Sequence, residues 1–365
     1  MQAMLTINVL SVITVLINFQ KSEEEMMKKN LITLLLVLVM LVVGAGLLVA
    51  SGQDDTEGWK PERTITMIVP WGAGGLSDQT ARVLASEMES VLGVKIAIIN
   101  QPGASGSIGT KAAYDKPHDG YTWVGNSNTS VATYQVRELT PEISHRDWQG
   151  FFAIFTPPVI CVNPDSPITD WDSLLEAFQR REVVVASAGI GSTGHIAAEL
   201  YSRQMGVSYK NVPYKGGNPA VVATVAGETE VVMQASLECS DMLRAKKLRP
   251  IAALTEEPIF IDGVGEIPPA TRFKKGFQGM ATVVGILIPR DTPAEIQEAI
   301  SKAFDVAANS ETLKKLANDK GAVAANLQGK KADEAMDRAA SQFGWILYEV
   351  GVAPKSPEIY GIPKP

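Results

Sequence analysis

The residues best suited to chemistry sit in two glycine-rich runs. "VPWGAGGLSDQTAR" carries Gly72, Gly74 and Gly75 with Ser77 and Asp78 directly behind them. "SAGIGSTGHIAAEL" carries Gly189, Gly191 and Gly194 among Ser192, Thr193 and His195. Each run leaves a short apolar strand and enters a helical pattern. Backbone N–H groups freed at a helix start, beside small hydroxyls and at the positive end of the helix dipole, can hold an anion. In the first run the glycines, Gly74 and Gly75 above all, are expected to let those N–H groups approach a carboxylate, with Ser77 adding a hydroxyl. Ser192 and His195 offer another chemistry, nucleophile and base, which would make the chain a secreted hydrolase. The elbow G-x-S-x-G is not completed, because Gly191 directly precedes Ser192 and position 107 of "GASGS" is serine. His195 at a helix start reads more simply as a polar cap or pocket-lining group. Asp78, in a first helical turn, reads as a dipole-compensating or loop-fixing carboxylate.

No Gly-Lys-Ser/Thr follows the glycines, and Ser77 stands where G-x-G-x-x-G needs its third glycine, so no nucleotide cofactor is implied. Three histidines and two cysteines, Cys161 and Cys239, lack zinc-ligand spacing, which argues against a structural metal. The two thiols read as buried and free rather than bridged, although an oxidising compartment would permit the bridge.

The elements that must position these loops alternate. Strands are predicted at 65–69, 95–99, 121–125, 183–187, 230–234, 249–254 and 283–288, and helices at 78–92, 195–205, 220–226, 293–308 and 331–347. Short apolar strands between amphipathic helices argue an α/β fold with largely parallel sheets. "TPAE" at 292–295 reads as a capping box with proline at the first helical position. Three further polar loops, 100–110, 125–130 and 212–220, also follow strands. Ligands of open α/β sheets bind beyond the carboxyl ends of the strands, so the loops together point to one shared ligand site.

The chain has 365 residues, 45% hydrophobic and 20% charged, with a net charge of -7. That length fits two domains behind a leader, and that charge disfavours nucleic acid and anionic membrane surfaces as partners. "MMKKN" at 26–30 precedes an almost wholly apolar stretch, 31–50, and a small-residue exit, "LVASGQDD". This is a secretory leader pattern, with cleavage expected near 50–52 and export to the periplasm or another extracytoplasmic space. An uncleaved anchor is the alternative, since about 20 apolar residues span a bilayer. Residues 1–25 are unusual before such a leader, and translation is expected to begin at Met26 or Met27.

At these residues the sequence resembles the periplasmic solute-binding receptors of tripartite tricarboxylate transporters, the Bug receptors. The resemblance runs from about residue 65 to 363 and rests on "IVPWGAGGLSDQTAR", "NQPGASGSIGT", "DGYTWVGNSN", "VNPDSPI", "SAGIGSTGHIAAEL", "VPYKGGNPAVVATVAG", "KLRPIAALT" and "IPRDTPAEI". It implies a periplasmic-binding-protein fold of type II, two α/β lobes with a ligand cleft between them. Lobe one would hold 58–158 and 283–365, lobe two 159–282, with crossings near 155–161 and 279–285. It implies a non-enzymatic receptor that captures a small organic carboxylate and passes it to permease subunits in the membrane, with no cofactor. A sensing module for a signalling partner is the other use of such a fold. The site residues carried over are Trp71, Gly72, Ala73, Gly74, Gly75, Ser77 and Asp78 in the first loop and Gly103, Ala104, Ser105 and Gly106 in the next. Asn126, Ser127, Asn128 and Thr129 follow, then Ala188, Gly189, Gly191, Ser192, Thr193 and His195 on the other lobe. Tyr214 and Lys215 would lie at the far end of the cleft. The chain departs from the family pattern after the strand "VVMQASLE", where Gln234 and Ala235 replace an aromatic and an aspartate, with Ser236 and Glu238 nearby. The missing aspartate implies less affinity for an amino group, and Gln234 a neutral polar contact. Trp71, where smaller aromatics are common, could stack on a flat ligand.

Overall fold

A computed structural model describes residues 58–365; the expected leader lies outside the described residues. Two sheets organise this part of the chain. The first has six strands in the order β13-β4-β12-β3-β1-β2. They are β1 (Ile65–Val69), β2 (Ile96–Asn100), β3 (Thr122–Ser127), β4 (Trp148–Thr156), β12 (Thr282–Pro289) and β13 (Val323–Leu327). The second has five in the order β7-β6-β8-β5-β9. These are β5 (Pro158–Val162), β6 (Val183–Ser187), β7 (Tyr209–Pro213), β8 (Val231–Ala235) and β9 (Arg249–Ala253). A hairpin of β10 (Ile259–Ile261) and β11 (Gly265–Ile267) stands apart.

The expectation of largely parallel sheets is corrected: both are mixed. β1 pairs in parallel with β2 and β3, and β6 with β7 and β8. β12 runs antiparallel to β3 and β4, and β5 to β8 and β9. The reason lies in the crossings. The chain passes from β4 to β5 through Pro157 and returns at β12, so these strands enter their sheets against the direction set by the β-helix-β units. At the return, Gly285 lies so close to the Phe151 carbonyl that a Cβ would overlap it, and the β12–β4 register shifts at this point.

The helices are α1 (Leu76–Leu92), α2 (Ser107–Tyr114), α3 (Asn128–Tyr134), α4 (Trp171–Arg180), α5 (Thr193–Met205), α6 (Gly217–Val225), α7 (Ser236–Arg244), α8 (Ala294–Ala308), α9 (Glu311–Asp319) and α10 (Lys330–Glu349). Helix α1 buries Ala81, Leu84, Ala85 and Met88, at helical spacing, against Ile65, Met67 and Trp123 of the first sheet. It stops at Gly93, whose φ of 73° suits glycine and whose N–H returns to the Glu89 carbonyl. The capping box expected at Thr292 does not form. Pro293 is the N-cap of α8, and the Thr292 hydroxyl donates to the Pro289 carbonyl instead.

The second sheet has its own core, in which Ile160, Val183, Val185 and Met233 pack with Trp171, Phe178 and Tyr201. The second half of α10 joins that core through Ala339, Ala340, Phe343 and Leu347. Cys161 and Cys239 lie in another cluster behind the same sheet, both buried and both free thiols.

Candidate functional site

The loops that leave the two sheets meet. A Cβ on Gly72 would come within 3.1 Å of the Lys215 carbonyl, and one on Gly189 within 3.1 Å of the Ser105 hydroxyl. The first-lobe loops therefore touch second-lobe loops at two places. Between them lies a small cavity of about 30 Å³, open to solvent at its mouth. From the first lobe it is lined by Trp71, Leu76, Ser77, Ser127 and Ser130. From the second it is lined by Ala188, Ser192, Thr193, Gly217, Gln234 and Glu238. Seven of these were expected from the sequence: Trp71, Ser77, Ser127, Ala188, Ser192, Thr193 and Gln234. Leu76, Ser130, Gly217 and Glu238 were not.

Several of the remaining expected residues lie behind this lining and hold it, while Ala73, Ala104 and Lys215 are exposed. Asp78 is buried and accepts hydrogen bonds from the Gly74 N–H (2.9 Å), from Arg82 (2.9 and 3.0 Å) and from Asn100 (2.9 Å). Burial alone would raise its pKa, but these donors outweigh it and hold the carboxyl below its usual range. Asn100 also donates to the Trp71 carbonyl, so Asp78 fixes both ends of the first loop. Gly74, at φ +79°, makes the turn, but its N–H is spent on Asp78 and that of Gly75 on the Gly72 carbonyl. The expectation that these two N–H groups face a ligand is therefore corrected; with the Leu76 N–H bonded to Glu238, the free donors of the first turn begin at Ser77.

Asn126 is fully buried and accepts from the Trp71 indole N–H at 2.8 Å, while its amide donates to Thr110 and Tyr134. Tyr134 in turn donates to the Ser105 carbonyl, which ties the 103–106 loop to the same network. The backbone there is bent, with Ala104 at φ 42° and Ser105 at φ 54°. Asn128 accepts from the Val283 N–H, and Thr129 and Thr193 both meet the Thr282 hydroxyl, so three threonines join the lobes where the chain crosses. Tyr214 donates to Glu228, and Lys215 is exposed, contributing its carbonyl to the contact with Gly72.

Ser192 caps α5, accepting from the His195 N–H. His195 is buried, and burial, reinforced by the neighbouring Arg137 guanidinium, pushes its pKa down to about 4. The neutral ring accepts from the Gly191 N–H through Nδ1, and its Nε2 lies 3.6 Å from Glu199. Among the described residues neither ring nitrogen is hydrogen-bonded to Ser192, so the pair lacks the arrangement a nucleophile and base require. Arg137, which the sequence reading missed, packs against Gly191 with one guanidinium nitrogen buried and unpartnered.

Two features of the lining bear on what it could bind. Gln234 is fully buried, and neither its amide oxygen nor its nitrogen has a partner among the described residues. Orphaned polar groups at a cavity wall are what a bound molecule would satisfy. Among the described residues Glu238 is the only charged side chain in the lining, and it accepts a 2.8 Å hydrogen bond from the Leu76 N–H at the start of α1. Burial pushes its pKa up to about 7, against the pull of that one hydrogen bond. Helices α1 and α6 begin at Gly75 and Gly216, neither of which offers a capping side chain. A Cβ on Gly217 would overlap the Glu238 carboxylate, so that group lies against both helix starts. The sequence signal for Glu238 was its position four residues past Gln234, one turn along the helix that follows β8.

A family model described as "Tripartite tricarboxylate transporter family receptor" matches residues 80–351. The protein BugT of Bordetella pertussis is 31% identical over 203 residues, covering 54% of this chain and 62% of BugT. A solved structure of a periplasmic transporter is 27% identical with a TM-score of 0.71, covering 80% of this chain and 97% of that one. The malate-bound structure of MatC from Rhodopseudomonas palustris has the same fold at 23% identity and a TM-score of 0.71, covering 79% and 99%.

Proposed function

Because the chain belongs to the tripartite tricarboxylate transporter receptor family, whose members are periplasmic solute-binding receptors, we propose that it captures a small organic carboxylate in the cleft and delivers it to the permease subunits of such a transporter. The observation that carries the ligand class is a cavity walled by helix starts and hydroxyls, with no lysine or arginine in its lining among the described residues. A carboxylate there would be held by the Ser192 and Thr193 end of α5 and by Ser127 and Ser130, with the orphaned Gln234 amide as a further partner. Arg137, behind Gly191, adds positive potential at that end. Asp78 and Asn126, which do not reach the lining, act as its frame. MatC, which shares the fold, was solved with malate, a small carboxylate, bound.

The hinge of this reading is the pair of crossings, at Pro157 and before Thr282, about which lobes of 58–158 with 283–365 and 159–282 would close. Export through the leader at 26–52 completes it, with the mature chain beginning between residues 51 and 53. The hydrolase and sensor readings find no support in the family or in the site.

Native mass spectrometry of protein purified without unfolding, followed by titration with the retained acid, tests the proposal. The expected result is one bound small acid that raises the melting temperature and lowers the radius of gyration in solution scattering. A ligand confined to the folded state stabilises it by about 2.7 kcal/mol at a hundredfold excess over its Kd. Failure of a broad panel of carboxylates to raise the melting temperature would overturn the reading.

A further inference from the structure

The cavity is electrically lopsided. At one end stand the start of α5, with Ser192 and Thr193, and the buried Arg137 behind Gly191. At the other end the starts of α1 and α6 converge, and that anion position is already filled by the side chain of Glu238, bonded to the Leu76 N–H. Among the described residues Glu238 has no cationic partner. Asp78 of α1 is committed to Arg82, and Asp241 of α7 to Lys320 and Arg244. Cys239, beside it in α7, is a buried neutral thiol. Helix α6 presents glycine, asparagine and proline at its start. Gln234, whose amide lies against Gly194 of α5, is fully buried with both amide atoms unpartnered.

We propose that Glu238 determines specificity: it selects cargo with one carboxylate, bound at the α5 end, and a hydrogen-bond donor (hydroxyl, amide or ammonium) at the other, and it rejects dicarboxylates. This rests on the carboxylate reading above and narrows it. A second carboxylate at the α1 end would meet an anion already seated on the helix N–H groups, with no cation in the lining to offset the repulsion. A hydroxyl or ammonium there gains a charge-assisted hydrogen bond to Glu238 instead.

The test compares acids matched in length: 4-hydroxybutanoate with succinate, and 6-hydroxyhexanoate and 6-aminohexanoate with adipate. Each is titrated calorimetrically at pH 8, where Glu238 is ionised, into the wild type and into Glu238→Gln. The wild type is expected to bind the donor-ended acid at least about tenfold more tightly than its matched dicarboxylate, a step of about 1.4 kcal/mol. Glu238→Gln should narrow or reverse that ratio while its melting temperature stays near wild type. A wild type that binds the dicarboxylate as well as or better than its partner overturns the inference and leaves the carboxylate receptor standing. An unchanged ratio in Glu238→Gln overturns it too and makes the residue a structural clasp. Binding of none of these acids would count against both readings. Should Glu238→Gln fold poorly, the wild-type ratio decides alone.

Discussion

Glu238 Oε1 accepts a hydrogen bond of 2.8 Å from the backbone N–H of Leu76, 162 positions earlier in the chain. A side chain of one lobe thereby caps the helix that opens the other, at a helix start with no cap of its own. Caps of this kind contribute about 1 kcal/mol. This one also fixes the sign of the charge at one end of the cavity, and the site depends more on that second consequence.

Glu238 and His195 respond to pH in opposite directions. A carboxyl whose pKa is raised from 4.5 to about 7 on folding stabilises the protein fully below 4.5, and loses that contribution as pH rises through 7. A histidine whose pKa falls from 6.5 to about 4 contributes fully above 6.5, and loses that contribution as pH falls through 4. The stability of Glu238→Gln relative to wild type should therefore rise from pH 4.5 to 7 and then level off. That of His195→Asn should rise as pH falls from 6.5 to 4, by roughly 3 kcal/mol at most. Urea melts of both variants across pH 4 to 8 measure each slope, and slopes of the opposite sign would refute the assignment.

Gln234→Met should separate binding from folding. Removing a buried amide that has no partner costs the unliganded protein little, and can stabilise it, because its desolvation is no longer uncompensated. The same change removes a partner from the ligand. We expect an unchanged or higher melting temperature without ligand and a Kd about tenfold or more weaker for the retained acid. A stability loss with unaltered affinity would place Gln234 in the framework rather than in the site.

Asp78→Ala should show the reverse pattern of cause. It strands the Gly74 N–H and the Asn100 amide inside the first loop and leaves the half-exposed Arg82 to solvent. The expected loss is about 2 kcal/mol of stability, with weaker ligand binding as a secondary effect of a loosened Trp71–Ser77 segment. Thermal melts and titration of the same preparation check it; full stability with normal binding would mean that the loop keeps its shape without this carboxylate.

The buried thiols give a simple check on the packing behind β5 and β8. Cys161 and Cys239 both have 0% exposure, and the hydrogen bond and nearby charge of its neighbour, with burial, push the Cys239 thiol well above its ordinary pKa. Both should resist a thiol-reactive dye in the native protein and react as two equivalents on unfolding. Rapid native labelling, or fewer than two thiols after unfolding, would contradict the free, buried pair.

The sequence alone determined the alternating strands and helices, the five loops that follow strands, and the family. All of these are written in local patterns: apolar periodicity, turn glycines and helix starts are properties of residues a few positions apart. Seven lining residues were legible for the same reason, since a loop between a strand and a helix falls at the carboxyl edge of its sheet. Which N–H groups stay free was not legible. Gly74 and Gly75 look available in the sequence, yet Asp78 and the Gly72 carbonyl consume them. Gly217 reads as one more turn residue until α6 is seen to begin opposite α1. Only the tertiary structure places Glu238 between those two helix starts, because a hydrogen bond across 162 positions leaves no periodic trace in the chain. The antiparallel entry of β5 and β12 was hidden likewise, since strand direction depends on where the chain crosses between lobes, and an apolar run reads the same in either direction.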